Sequence, residues 1–257
     1  MNILFETINE VAKITLNRPE VLNSFNKQMA MEMQHALDKC AAEKSIRAIY
    51  ITGNGRAFCA GQDLAEAISP DGPALQSIVK DHYNPIIEKI RRMEKPVICA
   101  VNGVAAGAGA NIALACDITF AASSASFIQA FSKIGLIPDS GGTFFLPRLV
   151  GFQRATALMM LGDKIKADQA FQMGMIYKVC DDVNLQTEAF DVAKNLASMP
   201  TKALGLTKRA LNASQTNDLT QQLAMEEELQ TTAGNSFDYQ EGVNAFLEKR
   251  PPIFKGE

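Results

Sequence analysis

Short apolar runs closed by glycine or proline recur along much of the chain, separated by stretches whose apolar residues are spaced three and four apart. Val11-Ala12-Lys13-Ile14-Thr15-Leu16 alternates as a half-buried strand does. It stops at Asn17-Arg18-Pro19-Glu20, where the fixed φ and missing N–H of Pro19 enforce a turn. Asn26 to Lys39 then carries Met29, Met33, Ala36 and Leu37 at helical spacing, and Ile46 to Thr52 reads as a second strand broken by Gly53-Asn54-Gly55. The rhythm repeats. Ala74 to Met93 predicts a helix kinked or broken at Pro85, Pro96 to Val101 a buried strand, Ala106 to Cys116 a helix of small residues, and Ile118 to Ala122 another strand. Such alternation implies an α/β fold with helices packed over its sheets. From about Phe152 helical spacing dominates, with one strand at Ile176 to Cys180. Thr201 to Lys249 reads as wholly helical, with Met225, Leu229, Val243, Phe246 and Leu247 as apolar positions that could cover the core or join subunits.

At 257 residues the chain can form one large domain with a full core, or a domain with a helical appendage. A hydrophobic share of 47% and a charged share of 21% exclude disordered and fibrous classes. The net charge of -3, with basic residues scattered, argues against nucleic acid as a partner. No run approaches the roughly 18 apolar residues of a spanning helix, so no membrane partner is expected. Met1 to Glu6 has neither the basic start nor the apolar run of a signal peptide. Cys40, Cys59, Cys99, Cys116 and Cys180 are odd in number and lack a C-x-x-C pair, as fits reduced core thiols of a cytoplasmic protein. Neither His35 nor His82 lies in a metal-ligand spacing, so no metal is expected.

Three stretches could carry chemistry. Gly55-Arg56-Ala57-Phe58-Cys59-Ala60-Gly61-Gln62-Asp63-Leu64 follows a strand and precedes a helical pattern. Its small residues permit a tight turn whose unpaired N–H groups can receive an oxyanion, or it is an ordinary glycine turn. Asn102 to Asn111, with Gly107, Ala108 and Gly109, follows a buried strand and opens a helix. There free N–H groups and the positive dipole end seat an anion or carbonyl, or the small residues serve only close packing. A dinucleotide fingerprint fails at Ile112, where glycine or alanine is required. In the third stretch, Phe131 to Thr143, Asp139-Ser140-Gly141-Gly142 resembles a protease nucleophile segment, but the helix-rich chain and its two histidines supply no triad. Asp139 lies among apolar and glycine residues with no neighbouring cation. Buried against a substrate it would bind a proton more tightly and suit proton shuttling; alternatively it caps a helix beginning near Gly141.

Taken in order, these stretches resemble the crotonase (enoyl-CoA hydratase/isomerase) superfamily over nearly the whole chain. Leu16-Asn17-Arg18-Pro19, Leu22-Asn23-Ser24-Phe25, both glycine segments, Ile137 to Thr143, Ala167 to Val179 and Ala245 to Arg250 carry the likeness. The resemblance implies a spiral of ββα units over residues 1–195 as the acyl-CoA-binding core, and a helical oligomerisation region over 196–257 forming a trimer or a hexamer of paired trimers. It implies an acyl-CoA thioester as substrate, coenzyme A entering as part of that substrate, and no further cofactor. The thioester oxygen would be seated by the Gln62 and Ala108 N–H groups. Ala60, Gly61, Asp63, Leu64, Gly107, Gly109 and Phe131 would surround the acyl end. Asn23 and Phe25 match a segment along the adenine, and Phe246 and Lys249 match a C-terminal contact to it.

Hydratases of the family use two glutamates to activate water, and the matching positions here are Asn111 and Phe131. Neither is a base, so the resemblance implies an isomerase working with Asp139 as its one acid/base. Within the superfamily the likeness is strongest to enzymes that isomerise ring-epoxidised phenylacetyl-CoA to the oxepin and shift a 3-enoyl double bond to the 2 position. A hydratase, an aryl-CoA dehalogenase and a non-catalytic RNA-binding relative are the alternatives. The missing tryptophan counts against the dehalogenase and the dispersed charge against the RNA binder.

Overall fold

The computed structural model describes residues 1–257. Strand β1 (Ile3–Ile8) pairs antiparallel with β2 (Val11–Leu16) through Asn9 and Glu10, whose φ angles are 50° and 62°. Positive φ at both central residues gives a hairpin turn that matches strand twist, usually announced by Asn-Gly. Glu10 hides that signal, so β1 is not foreseen from sequence. Helix α1 (Lys27–Ala42) starts at Asn26, whose side chain accepts the Met29 N–H, and buries Met29, Met33, Ala36 and Leu37 as its spacing predicts. The chain returns as β3 (Ala48–Gly53), parallel to β2, then leaves that sheet as β4 (Ala57–Cys59).

After the short helices α2 (Leu64–Ala67) and α3 (Leu75–Ser77), a π turn at Ile78–Tyr83 leads into α4 (Asn84–Arg92). Of the kink or break expected at Pro85, the structure has no gap but a change from π to α winding just ahead of it, between Tyr83 and Asn84. Pro85 sits in the first turn of α4, where its missing N–H is not needed, and the Asn84 N–H reaches back to the Val79 carbonyl. Next come β5 (Val97–Val101), β6 (Val104–Ala106) and α5 (Ala108–Ala115), then β7 (Ile118–Ala122) and β8 (Ser126–Ile128). Helix α5 begins later than its spacing suggests because β6 takes Val104 to Ala106. Helices α6 (Gly142–Val150) and α7 (Phe152–Leu161), strand β9 (Lys164–Lys166), α8 (Ala167–Gln172), β10 (Lys178–Cys180) and α9 (Leu185–Ser198) complete the core.

The strands form a six-stranded sheet, β1-β2-β3-β5-β7-β10, and a four-stranded one, β4-β6-β8-β9. Three times, at β3-β4, β5-β6 and β7-β8, a longer strand in the large sheet is followed by a three-residue strand in the small one, and helical structure then carries the chain back. This is the α/β spiral of ββα units that the resemblance implies. Its short strands escape sequence reading because three residues carry too little period to register. Strands β3 and β5 are buried on both faces, which requires their continuous Ala, Ile and Val character.

The stretch read as wholly helical from Thr201 to Lys249 is three helices, α10 (Thr201–Ala213), α11 (Leu219–Gly234) and α12 (Phe237–Glu248). Asp218 and Ser236 cap α11 and α12 by accepting the N–H groups of Gln221 and Tyr239, so the breaks are written as N-caps. Position 195 lies inside α9, which packs on β3 and β5; the chain leaves the core at Met199 and Pro200. No helix is long and apolar enough to cross a membrane.

Candidate active site

The end of β4 and the start of α5 are pressed together. A Cβ on Gly61, whose φ is 95°, would stand 3.0 Å from the Ala106 carbonyl oxygen and 3.7 Å from the Ala108 nitrogen. A Cβ on Gly109 would stand 2.6 Å from Cys59 Sγ. Glycine at both places is therefore a condition of this approach rather than a matter of flexibility. Phe25 bridges across Gln62: its N–H donates to the Gly61 carbonyl at 2.7 Å, and its own carbonyl accepts the Asp63 N–H at 2.8 Å. The Gln62 N–H, pointing to the other side, donates to nothing in the protein. Ala108 is the first residue of α5, so its N–H has no intrahelical acceptor. The preceding Gly107, at φ 53°, fixes it by donating to the Ile128 carbonyl at 2.9 Å.

Asp139 lies half-buried in the loop before α6. The residue at the N-cap of that helix is Gly141, with no side chain bonded to the cap, so the capping alternative for Asp139 is not what the fold uses. Its carboxylate instead accepts the Ser140 hydroxyl at 2.9 Å. Burial raises the proton affinity of Asp139 above the usual aspartate range, and the hydrogen bonds from Ser140 and its own amide offset part of that rise. Its main-chain carbonyl accepts both the Gly142 N–H and the Asn111 side-chain amide at 2.8 Å. Asn111 in turn accepts from Gln129 Nε2 at 2.8 Å.

Tyr83 completes the neighbourhood. Its hydroxyl, fully buried, donates to Gln62 Oε1 at 2.9 Å, and burial, with help from the charges of Cys59 and Asp139, holds it well above its usual pKa range. No motif in the sequence marks Tyr83, which the π turn at Ile78–Tyr83 presents. Wide turns of this kind are frequent at functional sites, and Pro85 just beyond it was the available hint. Phe131 is buried with its ring 3.7 Å from where a Gly107 Cβ would be, beside Ala108. Asn111 and Phe131, the two positions where the resemblance expects a hydratase's glutamates, thus lie beside Asp139 and Ala108 without a carboxylate.

The remaining residues divide. Asn23 is fully buried; its amide donates to the carbonyls of Asn54 and Ala57, and its oxygen accepts the Arg18 N–H. The Phe25 ring is likewise buried, 5.9 Å from that of Tyr83. Both side chains are therefore fully enclosed by the protein. Asp63 caps α2 through Ala65 and Glu66 and pairs with Arg18 at 2.9 Å. Ala60 is pinned by its N–H to the Leu22 carbonyl at 3.0 Å, whereas Leu64 is exposed. Phe246 is exposed on α12 and Lys249 is exposed as its C-cap, and α12 packs against α11. No three His, Cys, Asp or Glu side chains cluster so as to hold a metal ion.

The family model described as "Enoyl-CoA hydratase/isomerase" matches residues 6–257. The chain is 50% identical over 258 residues, 99% of its length and 98% of the other's, to the 1,2-epoxyphenylacetyl-CoA isomerase of Escherichia coli. It is 46% identical, over 99% of its length and 98% of the other's, to the Rhodobacter capsulatus protein named "Probable enoyl-CoA hydratase". Among solved structures, the enoyl-CoA hydratase of Bacillus anthracis superposes with a TM-score of 0.93 at 35% identity, covering 100% of both chains.

Proposed function

The chain belongs to the enoyl-CoA hydratase/isomerase family, and on that premise we propose that it acts as an isomerase of CoA thioesters with one acid/base, Asp139, in place of a hydratase's two glutamates. The observation that carries this reading is the content of two positions: Asn111 is an amide engaged with the Asp139 carbonyl, and Phe131 is a buried ring. Neither activates water.

In this reading the thioester oxygen sits between the N–H groups of Gln62 and Ala108. Each such donor typically contributes about 3 kcal/mol to stabilising the enolate. With a 3-enoyl substrate, the Asp139 carboxylate removes a proton from C2, and the C–H electron pair becomes the enolate. The proton returns at C4, the double bond moves from position 3 to position 2, and the carboxylate is regenerated. Transfer by a positioned carboxylate supplies roughly 10²–10⁴-fold. A ring-1,2-epoxide of phenylacetyl-CoA, rearranged to the oxepin, is the substrate that the 50% identical isomerase favours.

The reaction needs no metal or nicotinamide, and coenzyme A is only the substrate's handle. The chain works as a trimer or paired trimers in the cytoplasm. Exposed Leu219, Leu223, Phe246 and Leu247 on α11 and α12 support subunit contact there. The test is a panel of ring-epoxide, 3-enoyl and 2-enoyl CoA thioesters. Turnover of the first two without water addition to the third is the expected result; fast hydration of the 2-enoyl thioester overturns the isomerase reading.

A further inference from the structure

Loss of a glutamate at position 111 would by itself only remove a base. The structure has put something in its place. Asn111 lies in the first turn of α5, where its N–H closes onto the Gly107 carbonyl at 3.1 Å. Its side chain leaves the helix to donate to the Asp139 carbonyl at 2.8 Å. The approach is close: a Cβ on Gly142 would stand 2.4 Å from Asn111 Nδ2, so only glycine fits at that point of the loop. Both ends of the Asn111 amide are used, because its oxygen accepts from Gln129 Nε2 at 2.8 Å.

Gln129 is buried, and its other terminal atom, Oε1, has no partner. Gln129 directly follows β8, whose last residue, Ile128, accepts the Gly107 N–H beside Ala108. Two consecutive residues therefore pin both halves of the site: Ile128 holds the backbone that presents the Ala108 N–H, and Gln129, through Asn111, holds the backbone that presents Asp139.

We infer that Asn111 and Gln129 are a pair of positioning residues, an amide brace that fixes the Asp139 loop against the N-terminus of α5 and so sets the placement of the acid/base relative to the thioester oxygen. This rests on the reading of Asp139 as the acid/base. The brace demands an amide at position 111. A carboxylate of the same shape keeps the bond from Gln129 but offers the Asp139 carbonyl no donor, and adds a negative charge beside the Asp139 loop.

The experiment compares Asn111→Asp, Gln129→Met and Asp139→Asn in full-length protein, reading kcat, KM and the pH profile with a 3-enoyl-CoA, alongside thermal unfolding. Asn111→Asp is expected to lower kcat on the order of tenfold or more with KM little changed, and to move the acid limb of the profile upward by about one pH unit, as a like charge near a carboxylate does. Gln129→Met is expected to lower kcat without moving KM, and the two changes combined to cost less than the sum of their separate effects. A general loss of packing would not move the acid limb. Unaltered kcat and acid limb in both single variants, with Asp139→Asn inactive, overturn the brace and leave the acid/base standing. Full activity of Asp139→Asn overturns the acid/base itself. If Asn111→Asp does not fold, Gln129→Met decides the matter by the same split between kcat and KM.

Discussion

The neighbourhood of Asp139 and the helical region beyond Met199 are built on opposite plans. Around Asp139, main-chain groups are fixed by close glycine contacts and by side-chain amides, and the Asp139 carboxylate has no cationic partner at hand. In the helical region, buried cations do the fastening. Arg47, almost fully buried, donates to the Thr201 hydroxyl at 2.9 Å and to the carbonyls of Met199 at 2.6 Å and Phe254 at 2.9 Å. Lys208 on α10 reaches Asp117 at 2.7 Å and the Ile90 carbonyl at 2.6 Å. Unsatisfied amides and a raised proton affinity mark a place prepared for a reaction, whereas complete pairing marks a place prepared for holding. On the proposed function, the contrast separates the reacting end of the chain from the helices proposed to join subunits.

Variants can break the contrast from either side. The largest effect is expected for Asp139→Asn, with isomerisation falling roughly 10²–10⁴-fold while acyl-CoA binding persists. Stability should not fall. Because the folded protein raises the pKa of Asp139, ionisation there works against the fold at neutral pH, and the neutral amide removes that opposition. A melting temperature well below wild type would contradict this. On the other side, Asp117→Ala strands the buried Lys208 charge, and breaking such a pair typically costs about 3–5 kcal/mol. Thermal unfolding should shift by on the order of ten degrees, with kcat near wild type at a temperature where the protein is folded. A catalytic collapse without destabilisation would erase the distinction between the regions.

Ser140→Ala sharpens the electrostatic half. The Ser140 hydroxyl donates to the Asp139 carboxylate and lowers its proton affinity. Activity that needs the ionised carboxylate should already fall on the acid side above the ordinary aspartate value of about 3.9. Removing the hydroxyl should move that limb upward by about one pH unit, because a hydrogen bond to a charged group contributes about 1.5–3 kcal/mol. A downward move would mean the hydroxyl stabilises the neutral acid. The smallest effect on chemistry is expected for Leu223→Asp, on the exposed face of α11. It should lower the assembled mass measured by light scattering while leaving secondary structure intact; an unchanged mass would remove that face from the subunit contact.

The two regions also differ in how far the sequence discloses them. Strands β2, β3 and β5 announce themselves through apolar runs bounded by glycine or proline and β7 through a short apolar run, and the two glycine segments mark where free N–H groups must lie, because only glycine survives the contacts at Gly61 and Gly109. Strands β4, β6 and β8 do not, since pairing between distant segments, rather than local propensity, makes three residues extended. The same limit hides the function of side chains. Asn23 looks like a ligand-facing residue in its motif, yet its amide is consumed by the carbonyls of Asn54 and Ala57. Tyr83 and Gln129 belong to no motif and acquire meaning only through partners far along the chain, at Gln62 and Asn111. Asp139 was legible for the opposite reason: a carboxylate among apolar and glycine residues stands out before any partner is known.

The most direct measurement follows the hydrogen itself. A saturated acyl-CoA incubated in deuterium oxide should exchange its C2 hydrogen in the wild-type enzyme, and Asp139→Asn should slow that exchange by roughly 10²-fold or more while binding the thioester with unchanged Kd. Exchange undiminished in the variant, with binding intact, would contradict proton transfer by Asp139.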